Sequence, residues 1–346
     1  MKQTISTIIF VHVFVQSFSL VSPFNQTKFT TDSTLNYSFI VSGHFYGNQS
    51  NKTGYPCNTL LANLDWINQS KANALFCLGD MFLDVTNDIP YYKESFFNKL
   101  QIPLYNAVGN HDLSAEVYQQ NFGDTYYYFM VNKDIHLILD TELDNGNIEG
   151  KQLELLKEVL NIVNQQTINN VFIYAHRTLW AKHFKELEGL FKDNTQSVLG
   201  NNFKADILPL LNQIKLKSKI YWFSGSIGGD APSSFFYFPK DDITYIATAI
   251  RGFKRDAVLL VNVNQKGVTF KTQSLTKQNL QNLATYNVEF WQQKTVKESF
   301  NYRLIPLYIK QVVFSRYFWY GFFTLLSIII VLKFLRVKTF NFRKKI

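Results

Sequence analysis

Leu104-Tyr-Asn-Ala-Val-Gly-Asn-His-Asp112 is an apolar run that stops at a glycine and delivers an amide, an imidazole and a carboxylate into one turn. Asn110, His111 and Asp112 are residue types suited to metal ligation and proton transfer, set here at the end of a predicted strand. In isolation the stretch is equally a plain Gly-Asn turn. Its company along the chain decides between the two readings.

Four further apolar runs end in the same way. Tyr37–Val41 stops at Ser42-Gly-His44, Ala74–Leu78 at Gly79-Asp80, Val171–Ala175 at His176-Arg177, and Ile220–Phe223 at Ser224-Gly-Ser-Ile-Gly228. Mixed segments with helical spacing lie between them, over Thr59–Ile67, Glu94–Leu100, Glu149–Val163 and Asp206–Ile214. This alternation is the pattern of an α/β domain, in which ligands gather outside the carboxyl ends of the strands. Tyr126–Val131 and His136–Leu139 read as a hairpin. Phe235–Phe238, Thr244–Ala249, Ala257–Val263 and Val268–Thr272 read as a second set of strands, and Gln278–Gln292 as a closing helix. The segment from Thr178 to Asn202 carries no strand signal and is expected to be a cap or loop over the site.

In this order the pieces resemble the calcineurin-like metallophosphoesterase family. Its signature runs Asp-x-His, Gly-Asp, Gly-Asn-His-Asp/Glu, a lone His, then Gly-His-x-His. The match spans Tyr37 to Gln273, and Leu139-Asp-Thr-Glu142 followed by a helix from Gly150-Lys-Gln-Leu153 resembles the family's middle section. The resemblance implies an α/β fold with two packed β-sheets flanked by helices, and a two-metal site that hydrolyses phosphate esters. It implies that Asp80 bridges the metals, that Asn110 and His176 bind one of them, and that His44 binds the other. It also implies that His111, with Asp112 beside it, serves as the catalytic group at the leaving oxygen. The cofactors would be one or two divalent ions, Mn, Fe or Zn, since paired cations activate water and neutralise phosphoryl charge. Arg177 is a substrate-binding candidate for a phosphate oxygen, or a solvated residue after a strand.

The chain departs from the signature at three ligands. Ser42 stands where the family has its first Asp, and Ser226 and Gly228 stand where it has the two histidines of Gly-His-x-His. Asp230, Asp140 and His183 are the replacements that the sequence offers. Two functions follow: a phosphoesterase acting on a phosphate mono- or diester with an incomplete ligand set, and a non-catalytic domain of the same fold acting as a binding or scaffold protein.

The ends of the 346-residue chain carry membrane signals. Residues 1–21 read as a signal peptide, with Lys2 before an apolar run and small polar residues after it; an uncleaved anchor and a buried first helix are the alternatives. Residues 22–300 form the expected ectodomain, 301–315 a juxtamembrane stretch, 316–335 a transmembrane helix and 336–346 a basic tail. Tyr317–Leu332 contains no charge, opens on aromatic residues and is followed by Lys333. Lys333, Arg336, Lys338, Arg343, Lys344 and Lys345 are expected to keep the tail cytoplasmic and the body extracytoplasmic, as in a single-pass membrane protein. Together with Lys2 they supply seven of the net nine positive charges. The basic balance is thus a topology signal and nucleic acid is an unlikely partner. The expected partners are a phosphoester small molecule or envelope component, and the membrane itself.

Cys57 and Cys77 are the only cysteines; they either pair or, as the apolar run around Cys77 favours, fill the core as small hydrophobes. Asn25, Asn36, Asn48, Asn51 and Asn68 each open an Asn-x-Ser/Thr triplet, a glycosylation signal only in a host with the machinery.

Overall fold

A computed structural model describes residues 20–31, 36–114, 116–294, 305–314 and 316–343. The expected signal peptide lies outside these except for Leu20 and Val21. The chain divides into two compact units, Met1–Thr295 and Val296–Ile346.

In chain order the first unit runs β1 (Tyr37–Ser42), α1 (Asn58–Leu61), α2 (Leu64–Gln69), β2 (Ala74–Cys77), α3 (Val85–Ser95), β3 (Leu104–Asn106), α4 (Val117–Phe122), β4 (Tyr127–Val131) and β5 (Asp134–Ile138). It continues through α5 (Gly150–Gln165), β6 (Asn170–Ala175), α6 (Leu208–Ile214), β7 (Lys219–Ser224), β8 (Phe235–Lys240), β9 (Ile243–Thr248), β10 (Ala257–Asn264), β11 (Gly267–Ser274) and α7 (Val288–Lys294). One sheet has the order β11-β10-β1-β2-β3 and the other β4-β5-β6-β7-β9-β8. β1, β2 and β3 are parallel, as are β5, β6, β7 and β9, so each sheet gathers several carboxyl ends on one edge.

Strand alternation explains why the sheets stack. Phe39 and Val41 of β1 face a layer shared with Phe172, Tyr174 and Phe223 of the other sheet, whereas Ile40 points the opposite way, among residues of α1 and α3. The outer face of the second sheet is covered by α5, α6 and the 178–202 segment, through Leu156, Trp180 and Leu211. Both sheets are therefore buried on two sides, as parallel strands require. Each fully buried Phe contributes about 1.5–3 kcal/mol to this stacking. Phe235 enters the layer between the sheets while Phe236 and Phe238 face the outer core, so the aromatic run Phe235–Phe238 is packing surface.

Several elements differ from the sequence expectation. β10 and β11 do not continue the second sheet but return antiparallel to β1, because chain order does not specify which edge a late hairpin joins. The helix expected at Glu94–Leu100 lies earlier, over α3, with Pro90 inside it and Asp84 capping its start through the Thr86 N–H at 3.1 Å. Thr59–Ile67 is two short helices. Of Gln278–Gln292 only the end is α-helical; Tyr286 instead uses its carbonyl to accept the Tyr237 N–H at 2.9 Å along edge strand β8.

Cys57 and Cys77 are free, buried thiols, and burial pushes Cys57 up to about 11. Asn25, Asn48 and Asn51 close local turns, each accepting from the Ser or Thr two residues on.

The second unit contains α8 (Ile305–Phe314) and α9 (Arg316–Arg343). Arg316–Lys333 is long and apolar enough to cross a membrane, with mean hydropathy 1.3. α9 continues to Arg343 and so takes in much of the expected basic tail.

Candidate metal centre

His44, Asp80 and His176 leave the carboxyl ends of β1, β2 and β6 and converge, with one ligand atom from each lying within 4.8 Å of the others. All three are buried, at 3%, 2% and 2% exposure. Two of them are brought in by a forced backbone. His44 and Asp80 both adopt positive φ, +58° and +53°, which L-residues rarely hold without an external reason. The two sheets are stitched at this point: the Gly43 N–H donates to Thr248 O at 3.1 Å, and the Ile250 N–H returns to Gly43 O at 3.0 Å. The seam requires glycine. A Cβ on Gly225 would strike the Leu78 carbonyl, and one on Gly109 would strike the Asp80 carboxylate.

The protonation pattern follows from the partners. The Leu78 carbonyl can only accept, so His176 donates to it through Nδ1–H at 2.7 Å. His176 Nε2 then faces Asp80 Oδ1 at 3.6 Å. His44 Nδ1 stands 3.1 Å from Asp80 Oδ2, yet without hydrogen-bond alignment, so both ring nitrogens of His44 are buried without a hydrogen-bond partner. Burial, then the positive charge of Arg251, holds His44 well below the usual imidazole range, and the ring is neutral. Two imidazoles and a carboxylate whose ligand atoms converge make a donor set that fits a divalent cation. The Leu78 bond is the kind of second contact that orients a metal-bound histidine.

The Gly109–Asp112 turn wraps this cluster. The His111 N–H donates to Asp80 Oδ1 at 3.2 Å, and its Nδ1–H donates to Leu83 O at 3.1 Å, which leaves Nε2 open on a half-buried ring. Asn110 is exposed at the turn's tip.

Asp112 and Arg177 are placed otherwise than the sequence suggests. The Asp112 carboxylate is wholly buried and accepts from Phe82 N at 3.0 Å, Gly109 N at 2.9 Å and Asn106 Nδ2 at 3.1 Å; it braces the loop and does not present a reacting group. Burial, opposed in part by these bonds, pushes it up to about 6. Arg177 spends its Nε–Nη2 edge on Glu142, with the Nε contact at 2.8 Å, so its fork is already filled by a carboxylate.

None of the suggested replacement ligands joins the triad. Asp140 turns back on the Glu142 N–H at 2.9 Å, Asp230 pairs with Lys192 at 2.7 Å, and His183 packs on Phe184 and Phe203. Among the described residues, His44, Asp80 and His176 are the one group of three such side chains placed closely enough to hold a metal ion.

The sequence reading missed Tyr46 and Arg251. Tyr46 packs its ring 5.8 Å from His44 and 5.2 Å from His111, with its hydroxyl beside the Arg251 guanidinium. The available signal was position: Arg251 follows β9 closely, as His176 follows β6.

No family model matches the chain, and no curated protein matches it in sequence. Among solved structures it is similar to a dimetal phosphatase from Danio rerio, with 10% identity over 69% of this chain and 96% of that one at a TM-score of 0.50. A purple acid phosphatase from yellow lupin seeds aligns at 12% identity over 74% of this chain and 54% of that one, with a TM-score of 0.47. At such identity the likeness speaks for the arrangement of strands and helices alone, two β-sheets flanked by helices as in the metallophosphoesterase fold.

Proposed function

We propose that the protein is a membrane-anchored phosphoesterase that works with one divalent metal and hydrolyses a phosphate mono- or diester outside the cytoplasm. The observation that carries the reading is His44: a neutral, buried imidazole whose two nitrogens have no hydrogen-bond partner, set against a carboxylate and a second imidazole. Such a group is costly unless something binds it. His44, Asp80 and His176 would hold the ion, and Asn110, exposed on the adjoining turn, is the further ligand that the family resemblance implies. When bound, the ion supplies Lewis acidity and lowers the pKa of a water.

The chain's own residues do the rest. His111 keeps Nδ1–H on the Leu83 carbonyl, so its open Nε2 is the atom that takes up a proton and delivers it to the leaving oxygen. Asp112 holds the turn that carries His111, and the backbone N–H of His111 steadies the Asp80 carboxylate. The uncharged stretch in α9 anchors the chain, and the basic residues after it set the body on the extracytoplasmic side.

Metal analysis and a panel of generic phosphomonoesters and diesters, run on the full chain in detergent, test the reading. The expected result is about one Mn, Fe or Zn per chain, with hydrolysis lowered at least about 100-fold by Asp80→Asn and by His176→Ala. A metal-free protein with no hydrolysis above the Asp80→Asn control points to the alternative, a binding domain that keeps this fold.

A further inference from the structure

Arg251 and Arg255 lie just beyond β9, on the chain segment stitched to the His44 loop. Arg251 is 8% exposed, and the Nε atoms of both arginines are buried with no hydrogen-bond partner. Among the described residues neither guanidinium has a carboxylate within ion-pair distance. The carboxylate nearest in sequence, Asp256, is used on the backbone: it accepts from Arg251 N at 2.9 Å and Gly252 N at 2.7 Å, and from the Thr59 hydroxyl at 2.6 Å. Those bonds, with Asn48 Nδ2 on the Arg251 carbonyl at 2.8 Å, hold the backbone of the arginine against the loop that follows His44.

The contrast with Arg177 is informative. Arg177 presents the same Nε–Nη edge, and Glu142 fills it. Arg251 and Arg255 both leave Nε without a hydrogen-bond partner, although half-buried Arg255 donates through Nη2 to the Gly229 carbonyl at 2.9 Å; for Arg251, the buried one, a cation without an anion is not a stable resting arrangement. Arg251 also acts directly on the metal-ligating cluster. Its positive charge helps hold His44 below the usual imidazole range, and Tyr46, whose hydroxyl lies beside the guanidinium, connects it to the His111 ring.

The missing ligands give this cationic pair a place. Three of the ligands that hold the two metals in the family signature are Ser42, Ser226 and Gly228 here, and none of them offers a carboxylate or imidazole. A guanidinium fork binds two phosphate oxygens and carries a permanent positive charge, so it supplies the charge neutralisation of a cation without ligands of its own.

Resting on the phosphoesterase reading above, we infer that Arg251, assisted by Arg255, binds the phosphoryl oxygens of the substrate and takes the electrostatic place of the second metal. The site is a one-metal, two-arginine clamp for a phosphate group.

The test is calorimetric titration of the full chain in detergent micelles with inorganic phosphate, with metal content measured on the same samples. Wild type binds phosphate saturably. R251K, which keeps the charge and loses the fork, and R255Q, at a less buried position, each bind phosphate at least about fivefold more weakly, and R251Q about tenfold or more. Metal content stays at the wild-type level in all three. Phosphate affinity within about twofold of wild type in both R251K and R255Q overturns the inference, because those substitutions remove the fork under any orientation of the anion. Arginine-dependent phosphate binding in a protein that holds no metal overturns the metal-centre reading and leaves the arginine clamp standing.

Discussion

His136 and His44 are both buried imidazoles, and they differ in what surrounds them. His136 lies between the sheets, its Nδ1 2.9 Å from the Tyr174 hydroxyl and its Nε2 3.2 Å from that of Tyr37, and its ring stacks on Phe76 and Phe129. Burial pushes it down to about 3. His44, at the sheet edge, has the same burial, a positive φ and no partner for either nitrogen. Neither burial nor residue type separates a core histidine from a site histidine; hydrogen-bond satisfaction does. The interior is arranged for stability, whereas the edge accepts strain and an unmet group to keep its ligand atoms free.

Substitutions that confuse the two regions test this contrast. The largest effect is expected at the seam that joins them. Gly225→Ala drives a Cβ into the Leu78 carbonyl, which also holds His176, and should cost about 3 kcal/mol or more while lowering metal content. Denaturant midpoints and metal analysis read both, and a variant of wild-type stability would show that the seam has room.

Arg177→Gln should cost about 3 kcal/mol, because it leaves the Glu142 carboxylate, 4% exposed, without its partner. The KM for a generic phosphoester should stay within about twofold. A stable variant with a much raised KM would return Arg177 to the substrate.

His136→Phe should cost about 2 kcal/mol through the Tyr174 hydroxyl left unpaired, with metal content unchanged. It should also flatten the acid side of the stability curve. The unfolded chain takes up this proton near pH 6.5 while the folded chain resists to about pH 3. Stability therefore falls as pH drops through that window, by about 1.4 kcal/mol per unit for one such group. Denaturation of wild type and variant at pH 7 and pH 5 checks the slope.

His44→Asn should have the smallest effect on stability, near zero or a gain of about 0.5 kcal/mol, since asparagine tolerates positive φ and the unmet ring is gone. Metal affinity should nonetheless fall at least about tenfold. A large loss of stability would mean that His44 is a packing residue like His136.

Much of the site was readable because glycine and polar residues interrupt apolar runs in a recognisable order. Ser42-Gly-His44, Gly79-Asp80 and His176-Arg177 each announce a strand end, and the structure brings His44, Asp80 and His176 together. The roles of Asp112 and Arg177 were not readable, because a carboxylate that braces its own loop and one offered to a ligand have the same sequence. The α3 helix was hidden by Pro90, which reads as a breaker although its missing donor falls within a helix stabilised by Asp84 and by packing of Ile89 and Tyr92.

By itself, the sequence determined the α/β class, the strand ends at which glycine and polar residues gather, the departures from the family signature at Ser42, Ser226 and Gly228, and the apolar stretch in α9. All of these depend on neighbouring residues, since strand period, glycine turns and hydropathy are local properties. Only the tertiary structure decided that β10 and β11 join β1, that Glu142 occupies Arg177, and that Arg251 is buried with its Nε open beside His44. Those facts join residues 35 to more than 200 positions apart, and burial and partner choice are set by which sheet edges meet.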